Sequence, residues 1–92
     1  MNQLIADAIR QKRKLRFIYN GKPRKVEPQC YGIGTRGTEL LRAYQPVGGS
    51  EEEPLFDLAK MTGLTLTDEF FDEPGPHYRK NDSAMVKIFC QL

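Results

Sequence analysis

Arginine and tyrosine side chains alternate along the first half of the chain, in segments rich in strand-forming residues. A guanidinium group binds phosphate through two parallel N–H bonds, and an aromatic face stacks on a nucleobase. We expect these groups to converge on one concave, water-accessible patch that binds a nucleotide or single-stranded nucleic acid. The predicted ligand-binding residues are Tyr19, Arg24, Arg42, Tyr44 and Lys60.

The same pattern also fits a folded core with a solvated surface. Aromatic rings in strands are commonly buried, and we expect this of Phe17, Phe56 and Phe70. Arg42 lies between Leu41 and Ala43 in a strand-like segment. An arginine at such a position must either emerge at the surface or pair with another polar group, because an isolated buried charge is costly.

Side chains that could catalyse a reaction or hold a metal are few. Neither Ser50 nor Ser83 lies in a Gly-x-Ser-x-Gly elbow, and the single histidine, His77, has no evident nucleophile partner. A structural zinc site needs four ligands, whereas the chain offers one histidine and two cysteines. We therefore predict a non-enzymatic protein that uses no metal and no cofactor.

Charge is distributed unevenly along the chain. Residues 1–46 contain ten lysines and arginines and three acidic residues, whereas residues 47–92 contain four and nine, for a net charge of +2. A basic half suggests attraction to phosphates. The alternative is that the two halves interleave in the fold and the charges keep a small domain soluble.

The N-terminal residues predict a helix. Asn2 is a favourable N-cap, and apolar residues recur on one helical face from Leu4 to Ile9. We expect the helix to run over residues 3–13. Basic residues at 10–14 then lie where the helix dipole favours cations.

The rest of the chain predicts short strands joined by Gly- and Pro-rich turns. Asn20-Gly21 is a strong hairpin signal, because both turn positions favour φ > 0. We expect loops at 34–37 and 46–54 and one helical turn at 68–71. The predicted strands are 15–19, 24–33, 38–44, 55–61, 64–67 and 85–90.

These elements predict a mainly β domain with a short N-terminal helix, arranged as a small SH3/Sm-like bent antiparallel barrel. We assign residues 1–92 to one domain. The helix takes residues 1–14, the barrel core 15–74, and a C-terminal loop and strand 75–92.

The chain shows no apolar run long enough to cross a membrane and no secretory signal, so we expect a cytoplasmic protein. Cys30 and Cys90 are expected to be free thiols in that compartment, with a disulfide between them as the alternative.

Several segments together resemble the WYL domain family. An Ala-Ile pair in the helix precedes the apolar strand LRFIY at 15–19 and the segment RKVEP at 24–28. The strand that names the family would fall at 39–41, and its later arginine-rich segment at 55–61, where Phe56 matches and Lys60 stands in for an arginine.

The resemblance implies a barrel that senses a ligand in bacterial or phage transcription regulation or defence. Nucleotides or single-stranded nucleic acid are the ligands attributed to several members. Tyr19, Arg24, Arg42 and Lys60 occupy the matched binding positions. Leu55 and Glu39-Leu40 depart from the pattern, which removes one cation and two aromatic rings.

Two functions therefore remain open. The first is a ligand-sensing module, either a stand-alone protein, a subunit or a domain of a longer chain. The second is a protein–protein adaptor that forms homo-oligomers or contacts a regulator through the barrel edges.

Overall fold

The computed structural model describes residues 1–47 and 51–92. In these residues one α-helix precedes six β-strands, so the predicted mainly β fold with a short N-terminal helix is confirmed. The elements are α1 Gln3–Gln11, β1 Arg13–Tyr19, β2 Lys22–Gly34, β3 Glu39–Tyr44, β4 Leu55–Asp57, a 3₁₀ helix Leu58–Lys60, β5 Thr62–Phe70 and β6 Met85–Gln91. The middle of the predicted loop at 46–54, residues 48–50, lies outside the described residues.

Helix α1 begins and ends at residues with identifiable capping chemistry. The side chain of Asn2 accepts a hydrogen bond from the Ile5 amide, as predicted for an N-cap. The helix ends at Gln11, two residues earlier than expected, because Lys12 adopts the left-handed conformation with φ of 53°. Arg13 then starts β1, so the predicted basic helix end is shared between a helix and a strand.

The β1–β2 hairpin follows the sequence prediction closely. Asn20 and Gly21 have φ values of 52° and 73°, as a tight two-residue turn requires. The turn fixes the register in which Phe17 faces Arg24 and Leu15 faces Val26. Side chains of directly opposite residues lie on the same face of a sheet. Arg24 therefore shares the face of the buried Phe17.

Strand β2 is the longest strand and organises the sheet. Its first half pairs with β1, and its second half pairs with both β3 and β6. The strand order is β4-β3-β2-β1-β5, and β6 lies off this path against β2. The sheet is antiparallel and bent. Within the described residues its edge strands do not pair with each other, so the fold is barrel-like but open.

The two faces of this sheet are covered differently. The inner face and α1 enclose the core, whose buried members are Ile5, Ala8, Ile9, Leu15, Phe17, Val26, Tyr31, Leu41, Ala43 and Phe56. The outer face of β2 and β3 is covered by residues 71–84, here called the linking segment, which joins β5 to β6. Because it is covered on both faces, β2 is buried continuously from Pro28 to Gly32.

Some predicted elements differ from the observed ones. The predicted strand 55–61 is wrong beyond Asp57, because the Asp57 side chain caps a 3₁₀ helix by accepting from the Ala59 amide. The predicted helical turn at 68–71 is also wrong, since β5 continues to Phe70. Phe70 is 63% exposed and lies against the Arg13 guanidinium, whereas Phe17 and Phe56 are buried as predicted.

Strand β6 also departs from simple alternation. A shift of register opposite Tyr31 and Gly32 brings Phe89 and Cys90 against the core, whereas Val86 is 66% exposed. Val86 and Cys90 therefore differ in burial, although simple alternation would place them on one face.

The basic and acidic halves of the chain interleave in the fold. Ion pairs between the halves join Arg13 to Asp68, Lys25 to Glu69 and Arg42 to Asp82. Each pair places an N-terminal cation beside a C-terminal carboxylate. The charge asymmetry of the sequence is therefore partly neutralised within the chain.

Cys30 and Cys90 are free and lie on different sides of β2. Cys30 faces the linking segment, whereas the Cys90 thiol lies 3.8 Å from the Ala6 carbonyl of α1. Among residues 1–47 and 51–92, the helices are too short and too polar to reach across a bilayer.

Candidate functional site

Two cavities contain three of the five predicted ligand-binding residues, and they are separate. The hairpin cavity, of about 190 Å³, is lined by Tyr19 and Arg24 together with Gln45, Glu51 and Phe56. The outer cavity, of about 220 Å³, is lined by Arg42 together with Cys30 and residues of the linking segment. The predicted convergence of both arginines on one patch is therefore wrong.

Alternation along the strands explains why the arginines separate. Arg24 lies directly opposite Phe17 and so projects from the inner face, at the rim of the core. Leu41 and Ala43 are buried on the inner face of β3, so Arg42 between them projects from the outer face. The two guanidinium groups lie on opposite faces of the same sheet.

The guanidinium of Arg24 lies against two aromatic rings in the hairpin cavity. Its central carbon is 5.9 Å from the ring centroids of both Tyr19 and Phe56. The rings are themselves packed edge to face, with centroids 4.9 Å apart. The Tyr19 hydroxyl accepts a hydrogen bond from the Asp57 amide at 3.1 Å. These contacts hold the ring in place beneath Arg24, and they favour a cation at this position.

Arg24 lacks a carboxylate partner in the part of the chain that the structure describes. Its Nη1 donates to the Gln45 side chain at 2.9 Å, which is a neutral acceptor. Its Nε is the one buried side-chain nitrogen or oxygen atom among the described residues that has no hydrogen-bond partner. A buried donor without a partner costs roughly 1–3 kcal/mol, so it requires an explanation.

Arg42, in contrast, is fully engaged within the protein. Its Nε donates to Asp82 Oδ2 at 2.8 Å, and its Nη1 donates to the Glu53 carbonyl at 3.1 Å. Burial by itself raises the pKa of Asp82. Hydrogen bonds from Arg42 and the Ala84 amide, together with the Arg42 charge, outweigh this effect and hold the pKa below its ordinary value.

Glu53 and Gln29 complete the polar floor of the outer cavity. The carboxylate of Glu53 accepts from Gln29 Nε2 at 2.9 Å and from the His77 amide at 2.5 Å. Gln29 is fully buried, and its Oε1 accepts from the Gly75 amide. These bonds fasten the linking segment to β2 and to the residues before β4.

The remaining predicted residues lie outside both cavities. Tyr44 projects from the outer face of β3 and packs against Gly75, where even an added Cβ would lie 2.8 Å from the tyrosine. Lys60 ends the 3₁₀ helix and is exposed. The structure therefore brings Tyr19 and Arg24 together, and it separates Arg42, Tyr44 and Lys60 from them.

The sequence analysis missed Gln45, Gln29 and Asp82. Gln45 and Gln29 are the buried polar residues among those that the structure describes, but a glutamine in or beside a strand carries no local signal of burial. Asp82 lies forty positions from Arg42, so the sequence offers no spacing rule that would pair them. The contacts of the two arginines with Gln45 and Asp82 can be identified only in the folded structure.

Tyr31 and Cys30 illustrate that reactive groups here are held inert. The Tyr31 hydroxyl donates to Glu39 and accepts from the Asn2 amide, and burial foremost raises its pKa to about 12. Burial likewise raises the pKa of the Cys30 thiol to about 11. Both groups are therefore protonated near neutral pH. Among the described residues no cluster of three His, Cys, Asp or Glu side chains is arranged to hold a metal ion.

Comparisons of this chain with protein-family models, with curated proteins and with solved structures gave no match. The resemblance to WYL domains therefore stays a prediction from the sequence. The geometry of the two cavities has to carry the functional argument.

Proposed function

We propose that the protein is a non-enzymatic module that binds a phosphate-bearing ligand, a nucleotide or a short single-stranded nucleic acid, in the hairpin cavity. The observation that carries this proposal is Arg24, a guanidinium group without a carboxylate partner within the described residues and with a buried, unpartnered Nε. An anionic oxygen from a ligand would supply the missing acceptor.

The surroundings of Arg24 favour a bound anion over a bound cation. The guanidinium lies on the faces of Tyr19 and Phe56, which fix its plane without neutralising its charge. Glu51 also lines the cavity, but it forms no ion pair with Arg24 in the described residues. Fixed planar donors recognise phosphate and carboxylate groups with little loss of side-chain entropy on binding.

The cytoplasmic location and the setting in bacterial or phage regulation or defence belong to this proposal. They are supported by the composition of the chain and by the ordered segments that resemble WYL domains. The open, bent sheet with its N-terminal helix is compatible with the barrel that the resemblance implies. The high pKa of Cys30 and of Tyr31 supports a role in binding and not in nucleophilic catalysis.

Binding measurements on charge-matched variants test the proposal. Adenosine 5′-monophosphate and a fluorescent oligothymidylate serve as probes, by calorimetry and by anisotropy. We expect Arg24→Ala to lower affinity at least about tenfold, because it removes a charge-assisted bond. Arg16→Ala is the control, since it removes the same charge from the exposed outer face of β1.

Two results would count against the proposal. Equal losses in the Arg24 and Arg16 variants would show that binding depends on overall charge and not on the hairpin cavity. Unchanged affinity in Arg24→Ala would place any binding elsewhere on the molecule.

The second candidate function is an adaptor that self-associates, and one observation supports it. Among residues 1–47 and 51–92, β5 pairs only with β1, and Phe70 near its end is 63% exposed. An unpaired edge of this kind can add a strand from a second copy. Light scattering after size-exclusion chromatography tests this: a dimer that Phe70→Ser abolishes supports it, and a monomer at all concentrations rejects it.

A further inference from the structure

Gln45 is the residue whose side chain is hydrogen-bonded to Arg24 at the hairpin cavity. It follows β3 and is only 4% exposed. Its side-chain oxygen accepts from Arg24 Nη1 at 2.9 Å, and its side-chain nitrogen donates to the Glu51 carbonyl at 3.3 Å. Its backbone amide donates to the Glu52 carbonyl at 2.7 Å. Gln45 therefore joins Arg24 to the residues that border the cavity.

These bonds leave one edge of the guanidinium without a partner. A guanidinium group has two edges that can bind two oxygens in parallel, one formed by Nη1 and Nη2 and the other by Nε and Nη2. Gln45 accepts from Nη1, which belongs to the first edge. Neither Nε nor Nη2 is hydrogen-bonded within the described residues. The second edge is therefore the one without a protein partner, and because its Nε is buried, a ligand reaches that atom only if the groups that cover it move aside.

The composition of the cavity wall limits how many anionic groups it accepts. Arg24 is the one cation that lines the cavity in the described residues, and Glu51 is the one anion. Successive phosphates of a strand are bound by several cations in a row, each contributing to the salt dependence. A wall with a single guanidinium edge fits a single phosphate group.

We infer that Gln45 is a positioning residue that reserves the Nε–Nη2 edge of Arg24 for one phosphate group, so that the ligand is of the mononucleotide class. The inference rests on the proposed function and makes it narrower. Gln45 acts here by supplying a neutral acceptor. A carboxylate at the same position would pair with Arg24 and remove its charge from the cavity.

Three substitutions test separately the charge of Arg24, its position and its ability to bond two oxygens at once. Gln45→Glu keeps an acceptor for Nη1 but neutralises Arg24, and we expect it to lower the affinity for adenosine 5′-monophosphate at least about thirtyfold. Gln45→Met keeps the charge of Arg24 but releases its position, with an expected loss of about three- to tenfold. Arg24→Lys keeps the charge but has no fork, with an expected loss of about tenfold or more.

Urea unfolding checks that each variant is folded under the binding conditions. The order in which the three variants lose affinity for adenosine 5′-monophosphate is the readout that a purely structural role of Gln45 would not produce. For an oligothymidylate, one phosphate contact predicts a slope of log affinity against log salt concentration of about −0.7. A slope of about −1.4 or steeper, which corresponds to two or more phosphate contacts, would overturn the mononucleotide class.

The outcomes distinguish this inference from the function on which it rests. If Arg24→Ala abolishes binding but Gln45→Glu binds like the wild type, the inference is wrong and the proposed function stands. If Arg24→Lys binds like the wild type, the fork is not used and the inference is again wrong. If Arg24→Ala itself leaves binding unchanged, both are wrong.

Discussion

Arg24 and Arg42 lie within neighbouring strands of one sheet, yet their surroundings differ in kind. Arg42 meets the Asp82 carboxylate and the Glu53 carbonyl on the outer face, and these contacts hold the linking segment down. Arg24, within the part of the chain that the structure describes, meets the neutral Gln45 side chain and two aromatic rings on the inner rim and no carboxylate. One arginine completes the fold, and the other leaves part of its hydrogen-bonding capacity unused.

The comparison teaches that residue type and strand position do not separate a structural arginine from a binding one. The partner does. A partly buried guanidinium that pairs with a carboxylate is electrically satisfied within the protein, whereas one that pairs with an amide keeps its charge for a ligand. The comparison therefore predicts opposite phenotypes for the two arginines.

The largest expected effect is on stability. Arg42→Ala leaves Asp82 partly buried without its cation, and we expect the free energy of unfolding to fall by about 2–3 kcal/mol. Arg24→Ala leaves the Gln45 side-chain oxygen without its donor but also removes the unpartnered Nε, and because these two costs offset each other we expect a fall of about 1 kcal/mol or less. Urea unfolding measures both, and equal losses would remove the distinction between the two arginines.

A smaller effect concerns the pH dependence of the Arg42–Asp82 pair. The folded pKa of Asp82 lies below its ordinary value of 3.8, so the pair contributes fully above that value. Its contribution is lost as the pH falls through the lowered folded pKa. We expect the stability difference between the wild type and Asp82→Asn to be constant near neutral pH and to shrink below about pH 4.

Urea unfolding at a series of pH values measures this difference. The carboxylates of Asp7 and Glu69 also have lowered pKa values, but they are present in both proteins and cancel. A difference that grows as the pH falls would show that Asp82 is not stabilised in its charged form.

The rate at which Cys30 can be modified reports how firmly the Arg42–Asp82 pair holds the linking segment against the sheet. Cys30 is 1% exposed beneath the linking segment, and burial foremost raises the pKa of its thiol to about 11. In a Cys90→Ser background we expect slow modification by a disulfide reagent. Asp82→Ala should speed it by about tenfold, because a local opening that becomes easier by about 1.4 kcal/mol exposes the thiol more often. Arg24→Ala is the control and should leave the rate unchanged, and acceleration by both variants would contradict the comparison.

Local signals in the sequence predict much of the fold. Asn2 and Asn20-Gly21 define the start of α1 and the first hairpin through capping and turn geometry that need no tertiary contact. The prediction failed where a side chain or a distant segment decides. Asp57 caps a 3₁₀ helix in place of a longer strand, and β5 extends to Phe70 because β1 pairs with it.

The candidate site was less accessible to sequence analysis. Arg24 and Tyr19 were identified because both residue types suit phosphate and base binding, and the hairpin register brings them together. Arg42 was placed beside them, since alternation alone does not tell which face of β3 is the core. Gln45 became recognisable only from its contact with Arg24, which depends on the packing of β3 against the hairpin.

The smallest effects are expected at the two predicted residues that lie outside both cavities. Tyr44→Phe removes a hydroxyl that makes no hydrogen bond within the described residues, and Lys60→Ala removes an exposed ammonium at the end of the 3₁₀ helix. Both should change the affinity for adenosine 5′-monophosphate by less than about twofold and the stability by about 0.5 kcal/mol or less. The same titrations and urea curves used for Arg24→Ala measure them. A loss in Lys60→Ala comparable to that of Arg24→Ala would mean that the ligand extends to the 3₁₀ helix. The binding site would then include Lys60 as a second cation and would be larger than the hairpin cavity.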